Sequence, residues 1–412
     1  MAEQDRTGRL PRAVRVFWVG SVVAFALMFV VMGVERLLGF PPTYWHFLGT
    51  RFTDLLEFVP TYRLLHTEAF FHNPVTSSVS YPPFGAVLFG LIYGTGVPVP
   101  FYLTAAVVGL AAAVWGMRSA LARRGVSAGV AVLVVSFPLL VLLQSGNLEL
   151  FVWLFVAGGA WFFWRGNDVA AAVLWGLAGA TKLYPVIFLA LLLPRWRWRA
   201  LAAGVATFVG TWVTSLWFLG PSIAVAWYWS LRNLFGYQGR RVGEWDLHEL
   251  AANHSAFGLA KVAAAVVGLP LTKLTLPYYA LGAVVFAVVF FGRLRKLPVA
   301  NQLLGVTVFM LMFPPVSYPY TLMHLYAPWA VLLLLEADAE RAGEAVPGLK
   351  AALAVFLPLF GSFTLFTFPR LLLFGGLVQA ALLVVMFAAS ACFPFGLDGR
   401  GGVGTVESDK PV

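Results

Sequence analysis

Runs of about 20 apolar residues recur along this chain, and short clusters of arginine and lysine separate them. A helix of that length spans the hydrocarbon core of a bilayer and satisfies its backbone hydrogen bonds internally. Charged residues make up only 11% of the 412 residues, against about 25% in a typical soluble domain. The pattern predicts an all-α integral membrane protein, with about 12 membrane helices, some broken or re-entrant, in one transmembrane domain over residues 1–395.

The basic clusters predict how the chain is oriented in the membrane. Four arginines precede the first apolar run, which extends from about Val16 to Leu38 and which we expect to be retained as an anchor. Because cytoplasmic loops carry an excess of arginine and lysine, the N-terminus and a polar tail at 396–412 should be cytoplasmic and the protein should lie in the cell membrane. The arginines and tryptophans of 195–199 are typical of an interfacial anchor. The net charge of +10 follows from this distribution, so it gives no indication of nucleic-acid binding.

Two long polar segments interrupt the apolar runs, and we predict that both are external loops. The first covers residues 40–83 and contains Asp54. It ends in the sequence Tyr81-Pro82-Pro83, where the next apolar run begins. The second covers residues 221–255, is rich in aromatic and charged residues, and ends in the sequence Asn253-His254-Ser255. Loops held by a rigid scaffold commonly carry catalytic groups, so the first loop favours an enzyme over a membrane scaffold.

Two shorter stretches fit this topology only if the chain enters the membrane and turns back. Residues 168–195 leave room for two helices of about 13 residues each, which meet at Lys182. Such helices are too short to cross the bilayer, so they must be buried in protein or line a wet cavity. Gln144 and Asn147 lie at the turn between two further spans. We therefore predict that Lys182, Gln144 and Asn147 converge near the outer leaflet, on the same side as Asp54.

Several kinds of chemistry have no matching motif in the sequence. There is no glycine-rich phosphate loop and no Asp-x-Asp pair, which argues against a nucleoside triphosphate or a nucleotide sugar as ligand. The six histidines lack the spacing of a zinc hydrolase, and the acidic residues around His248 are more typical of a solvated loop. The single cysteine, Cys392, cannot form a disulfide within the chain. We therefore expect no metal ion and no other cofactor.

The polar motifs occur in an order that resembles a known enzyme family. From the N-terminus they are Asp54, Tyr81-Pro82-Pro83, Gln144-Ser145-Gly146-Asn147, Lys182-Leu183-Tyr184-Pro185 and Asn253-His254-Ser255. From about Phe17 to Trp329 the chain resembles the polyprenol-phosphate-dependent mannosyltransferases of glycosyltransferase family 87. The resemblance implies the polytopic GT-C fold, with Asp54 as the catalytic aspartate of the first external loop. It also implies a polyprenyl-phosphate-linked sugar donor, mannose, and a lipid or glycolipid acceptor among membrane lipids.

The resemblance also bears on a late histidine. The family tends to carry a Ser-Trp-x-His element before a late span. In this chain the corresponding segment begins at Ser317, and the histidine, His324, lies farther along the chain than in that element. We expect His324 to lie at the outer start of its span.

The chemistry of sugar transfer from a lipid phosphate assigns tasks to residue types. A carboxylate must take the proton of the acceptor hydroxyl, and Asp54 suits this task at neutral pH. Cations or hydrogen-bond donors must stabilise the phosphate as its charge grows. A lysine at membrane depth is costly unless it meets an anion, which favours Lys182, and Arg232, Arg240 and Arg241 of the second loop are further candidates. Single displacement inverts the anomeric configuration and requires no metal.

Each assignment has a structural alternative. The predicted substrate-binding set also includes Tyr81, Gln144, Asn147, Asn253 and His324. Asp54 could cap the helix that follows it, and Lys182 could form a structural ion pair with Glu149. The polar residues of the turn could cap it, His324 could be a hydrogen-bonded histidine at a helix start, and Tyr81 and its prolines could only begin a helix. For the whole protein, the alternatives are transfer of another lipid-linked sugar, arabinose or glucose, and transport of a sugar-lipid without catalysis.

Overall fold

The computed structural model describes residues 12–39, 52–72, 80–123, 136–243, 250, 252–361 and 372–396. Within these ranges every regular element is a helix, which confirms the predicted all-α class. Among the described residues, five helices are long and apolar enough to cross a membrane, namely Pro98–Ala120, Trp198–Leu219, Thr275–Lys296, Pro319–Ala342 and Gly375–Cys392. The protein is therefore a polytopic membrane protein. The total of about 12 membrane helices and the domain limits at 395 and 396 stay predictions.

The described residues form a succession of α-helices and short 3₁₀ helices along the chain. The α-helices up to the middle of the chain are Arg12–Leu37, Thr53–Leu56, Val59–Tyr62, Pro83–Gly94, Pro98–Arg123, Phe137–Ser145, Glu149–Trp164, Asp168–Thr181 and Trp198–Leu219. The later ones are Ile223–Gly243, Ala256–Val266, Thr275–Gly292, Val299–Met312, Tyr326–Ala342, Leu349–Gly361 and Leu372–Cys392. The 3₁₀ helices are Glu68–Phe71, Tyr184–Arg195, Leu271–Lys273, Leu294–Lys296 and Pro319–Leu325.

The centre of the molecule lies around two late helices. In the candidate span Pro319–Ala342, 89% of the most apolar window is buried inside the protein, compared with 6% in Thr275–Lys296. Helix Val299–Met312 is buried from Ala300 to its end and packs beside the first of these. The 319–342 segment is therefore a central helix, which places His324 inside the protein, whereas Thr275–Lys296 lies at the periphery.

The predicted pair of short helices is confirmed. An α-helix of 14 residues, Asp168–Thr181, is followed by a 3₁₀ helix of 12 residues, Tyr184–Arg195, and Lys182 lies between them in extended backbone. A Cβ at Gly176 would collide with the carbonyl oxygen of Gly204, so the first short helix packs closely against Trp198–Leu219. At the break itself Thr181 is fully buried and the side chain of Lys182 is 14% exposed, so protein covers it.

The second predicted external loop is largely helical, which its composition did not indicate. Helix Ile223–Gly243 covers 21 of its residues. Ala226, Ser230 and Leu234 follow the i, i+4 spacing of one helical face and are buried, whereas Tyr228 and Phe235 are exposed. The sequence suggested a loop because charge interrupts the apolar pattern, and the buried face that stabilises the helix is narrow. Residues 244–249 lie outside the described part of the chain.

Candidate active site

The described part of the predicted first external loop, residues 52–72, contacts the turn between helices Phe137–Ser145 and Glu149–Trp164. The backbone N–H of Phe52 donates to the carbonyl of Gln144 at 2.6 Å, and Phe52 itself adopts a left-handed backbone with φ of 58°. Gly146 has φ of +68°, and a Cβ there would lie 2.7 Å from the Cβ of Leu55. Only glycine combines this backbone conformation with so close an approach. The turn therefore has the shape that seats the Asp54 segment.

Asp54 occupies the short helix Thr53–Leu56 and is partly buried. Its Oδ2 accepts a hydrogen bond of 2.6 Å from the Nδ2 of Asn147. The N-cap of the helix is Phe52, not Asp54, and the helix has no side-chain cap. Helix capping, the structural alternative for Asp54, therefore does not describe its position.

A second contact, a hydrogen bond from Tyr62, holds the described part of the predicted first external loop against helix Pro83–Gly94. The hydroxyl of Tyr62 donates to the carbonyl of Ala86, and burial raises the pKa of Tyr62 well above its usual value, so this hydroxyl stays a neutral donor. One residue before Ala86, a Cβ at Gly85 would lie 2.7 Å from the carbonyl oxygen of Thr181. The start of this helix, next to Tyr81, is therefore held against the break at Lys182.

Glu149 is fully buried at the start of its helix and is surrounded by hydrogen-bond donors. Its Oε2 lies 2.7 Å from the Nζ of Lys182, and its Oε1 lies 2.5 Å from the Nε2 of His324. The hydroxyl of Tyr184 also donates to Oε1. A carboxylate without water needs such partners, because an unpaired buried charge costs several kcal/mol.

Lys182 connects this carboxylate to the turn. Its Nζ donates to the Oδ1 of Asn147 at 2.9 Å as well as to Glu149, and its side chain is 14% exposed. The ring centroids of Tyr81 and Tyr320 lie 5.7 Å and 5.4 Å from the same nitrogen. An ammonium group has three N–H donors, so one of them has no acceptor among the described residues.

The predicted convergence of Asp54, Asn147 and Lys182 is thus confirmed by direct hydrogen bonds. The structural ion pair that we considered for Lys182 is also present. Sequence reasoning named Glu149 only as the partner of that pair, and it gave no role to Tyr184 or Tyr320. One signal for Glu149 existed, since a carboxylate that begins an apolar membrane helix marks a functional site by default.

Two of the predicted binding residues each leave a polar atom without a partner in the described part of the structure. The Nδ1 of His324 is buried and unpaired, while its Nε2 must carry hydrogen because it faces a carboxylate. The Oε1 of Gln144 is likewise buried and unpaired, although the backbone of the same residue supports Phe52. Both atoms are hydrogen-bonding groups that no described residue satisfies.

Asn253 belongs to a separate buried cluster, which we call the 253–321 clamp: Asn253, His254, Ser255, Pro315, Ser317 and Thr321. Its Nδ2 donates to the carbonyl of Pro315 at 2.9 Å, and its Oδ1 accepts from the backbone of Ser317 at 2.9 Å. His254 contacts the hydroxyl of Ser317 through Nε2 at 2.9 Å. These bonds fasten the start of helix Ala256–Val266 to the segment that precedes His324. Substrate binding by Asn253 stays a prediction.

Arg232, on helix Ile223–Gly243, makes its described contacts with aromatic residues of the same helix. The guanidinium of Arg232 stacks 4.7 Å from the ring centroid of Trp229 and donates to the hydroxyl of Tyr228, and the side chain is exposed. The side chains of Arg240 and Arg241 lie outside the described part of the structure. Phosphate binding by these three arginines stays a prediction.

The model of glycosyltransferase family 87 matches residues 80–315, which is more than half of the 412-residue chain. The matched region holds Asn147, Glu149 and Lys182, and it ends before His324 and begins after Asp54. No curated protein and no solved structure matches the chain. The family match agrees with the membrane helices and with the buried polar cluster at the break. The chain belongs to glycosyltransferase family 87 and is a membrane glycosyltransferase.

Proposed function

We propose that the protein transfers a mannosyl residue from a polyprenyl-phosphate donor to a hydroxyl of a lipid or glycolipid. The transfer takes place on the external face of the cell membrane, in a GT-C-type fold whose termini are cytoplasmic. One observation carries the proposal: a single side-chain amide, that of Asn147, bonds both Asp54 and Lys182. The carboxylate of Asp54 and the ammonium group of Lys182 are thereby held at the two ends of one side chain. Transfer from a phosphate requires a base and a cation in such a fixed arrangement.

Asp54 acts as the general base. The acceptor oxygen forms a bond to the anomeric carbon while the bond from that carbon to the phosphate oxygen breaks. The acceptor proton passes to Asp54, and the bonding electrons leave with the phosphate, so the anomeric configuration inverts. The hydrogen bond from Asn147 fixes the direction of the carboxylate. Asp54 lies in a short, partly buried helix that begins after Phe52, whose backbone is left-handed.

Lys182 stabilises the leaving phosphate. Asn147 and Glu149 accept two of its three N–H bonds, so the third is available to a phosphate oxygen. The ion pair with Glu149 and phosphate binding are compatible, because the carboxylate holds the ammonium in place before the donor arrives. Such prearranged donors need no reorganisation as charge develops on the leaving group.

Other residues of the predicted set are assigned to the donor. The unpaired Nδ1 of His324 and Oε1 of Gln144 can each accept a hydrogen bond from a sugar hydroxyl. The rings of Tyr81 and Tyr320 flank the ammonium that meets the phosphate. The lipid-linked donor and the acceptor have further candidate contacts in Asn253, Arg232, Arg240 and Arg241.

A transfer assay tests the proposal. Wild-type protein, Asp54→Asn and Glu57→Gln would be placed in lipid nanodiscs with radiolabelled polyprenyl-phosphate mannose and a lipid extract. Glu57 is a matched control, since it is an exposed carboxylate one turn farther along the same segment. We expect label to move to a new lipid with wild type and Glu57→Gln but not with Asp54→Asn, while Asp54→Asn still binds the donor.

Two results would contradict parts of the proposal. Transfer by Asp54→Asn at the wild-type rate would place the base elsewhere, with His324 as the next residue to substitute. Transfer from arabinose- or glucose-linked donors, with none from the mannose donor, would retain the enzyme and replace the sugar.

A further inference from the structure

A cleft of about 730 Å³ lies at the opposite end of the broken helices from the candidate active site. Its lining includes Arg165, Asp168, Val169, Arg197, Trp198 and Arg199. Helix Asp168–Thr181 begins at this cleft and ends next to Lys182, 14 residues later, which corresponds to about 21 Å. The cleft is therefore separate from the catalytic cluster and lies near the other surface of the membrane.

The cleft carries an excess of positive charge. Arg197 pairs with Asp168 at 3.1 Å, and this is the carboxylate among the lining residues. The guanidinium of Arg165 stacks 4.6 Å from the ring centroid of Trp161, which leaves its N–H groups directed at no carboxylate in the described structure. Arg199 is exposed and has no partner among the described residues. Two of the three guanidinium groups are therefore available to an anion.

The rim of the cleft is apolar and faces outward. Trp196 is 74% exposed and Trp198 is 53% exposed. Val169, in the first turn of helix Asp168–Thr181, is 49% exposed. Exposed tryptophans at the end of a membrane helix are typical of the interface between headgroups and acyl chains. An anion with an apolar tail would satisfy both the arginines and this rim.

We propose that the cleft binds the phosphate headgroup of an anionic glycerophospholipid from the leaflet opposite the active site. The planar guanidinium groups of Arg165 and Arg199 match phosphate oxygens in bidentate geometry, and the acyl chains lie against the tryptophan rim. Basic pockets on the cytoplasmic side of membrane proteins bind anionic lipid headgroups in this way. The bound lipid holds the start of helix Asp168–Thr181, whose other end positions Lys182.

Native mass spectrometry of detergent-purified protein with added phosphatidylglycerol tests the site. The variants are Arg165→Gln and Arg199→Gln. The matched control is Arg118→Gln, because Arg118 also stacks on a tryptophan, Trp115, at 3.8 Å, but outside the cleft. We expect each cleft variant to bind phosphatidylglycerol about tenfold more weakly and the control to bind it as wild type does. Phosphatidylcholine should bind wild type no better than it binds the cleft variants.

Several results would overturn the proposal. One is unchanged binding by both cleft variants, and another is equal weakening in Arg118→Gln, which would indicate a general basic surface. Displacement of the lipid by millimolar inorganic phosphate would also contradict it, because a free anion would then suffice. Thermal unfolding of each variant checks folding, and since both arginines are exposed, we expect both variants to fold as wild type does.

Discussion

Asn147 donates a hydrogen bond of 2.6 Å to Asp54, although 93 positions separate the two residues along the chain. The other end of the same amide accepts from the Nζ of Lys182 and from the backbone N–H of Glu149, both at 2.9 Å. Nδ2 must therefore point at the carboxylate, because Oδ1 is held by two donors. Asn147 is 2% exposed, so its amide is shielded from bulk solvent.

Asn147→Ala should reduce turnover and leave donor affinity nearly unchanged. The substitution removes the donor that directs Asp54, and a displaced catalytic group typically costs on the order of 100-fold in rate. The measurement is kcat for sugar transfer beside a direct donor-binding assay. Ser145→Ala is the control, since among the described residues the Ser145 hydroxyl bonds only the carbonyl of Leu142, one helical turn earlier. Equal losses of turnover in both variants would mean that the turn, not the amide, is responsible.

Lys182→Met should lower both stability and activity, for two different reasons. The substitution removes one of the donors to the fully buried Glu149, and breaking such a pair costs about 3 kcal/mol or more. It also removes the N–H assigned to the phosphate. We expect a lower thermal unfolding midpoint and a strongly lowered kcat/KM for the donor, with a loss in kcat because charge on the leaving phosphate is no longer stabilised.

The double variant Lys182→Met with Glu149→Gln separates these two effects. Without a buried carboxylate to neutralise, it should regain most of the lost unfolding midpoint. Transfer should stay low, because the phosphate still lacks its cation. Recovery of transfer together with stability would limit Lys182 to the structural ion pair.

Gly146→Ala should impair activity more than Gly166→Ala does. Both glycines have positive φ, +68° and +78°, so alanine costs about 1 kcal/mol or more of backbone strain at either position. Only at Gly146 does the added Cβ meet Leu55, at 2.7 Å, whereas no atom lies within 4 Å at Gly166. We expect the unfolding midpoint to fall in both variants and to fall further in Gly146→Ala, because the clash with Leu55 adds to the strain. The transfer rate should fall in Gly146→Ala alone. Equal transfer rates in the two variants would show that the seat of the Asp54 segment tolerates displacement.

Stability should fall as pH decreases, in part because of His254. Burial lowers the pKa of His254 to about 3, compared with about 6.5 in an unfolded chain. Above pH 6.5 the ring is neutral in both the folded and the unfolded protein, so protonation of His254 takes nothing from the free energy of unfolding. Between pH 6.5 and 3 only the unfolded chain takes up the proton, so stability falls with pH, by about 1 to 2 kcal/mol at pH 5.

The measurement is the unfolding midpoint in detergent at about pH 7.5 and about pH 5. His254→Gln lacks a titrating ring and should show a smaller decrease than wild type between these conditions. Identical decreases in wild type and variant would assign the effect to other groups.

Much of the candidate site was predictable because each part leaves a local mark. The broken helix shows in the length of the apolar stretch on either side of Lys182, and the turn shows in the polar residues from Gln144 to Asn147. The role of Asn253 in the clamp left no such mark, since its partners are backbone groups some 60 positions away. Helix Ile223–Gly243 was missed because its stability depends on a narrow buried face that only the neighbouring segments define.

The sequence by itself determined the membrane class, the break between two short helices at Lys182 and the convergence of Asp54, Asn147 and Lys182. These follow from bilayer thickness and from the cost of charge at depth, which act on every chain alike. Only the tertiary structure decided that Asn147 bonds Asp54 and that one carboxylate, Glu149, gathers Lys182, Tyr184 and His324. A hydrogen bond tolerates changes of only a few tenths of an ångström in the distance between donor and acceptor. For segments far apart along the chain, packing of the whole protein sets that distance.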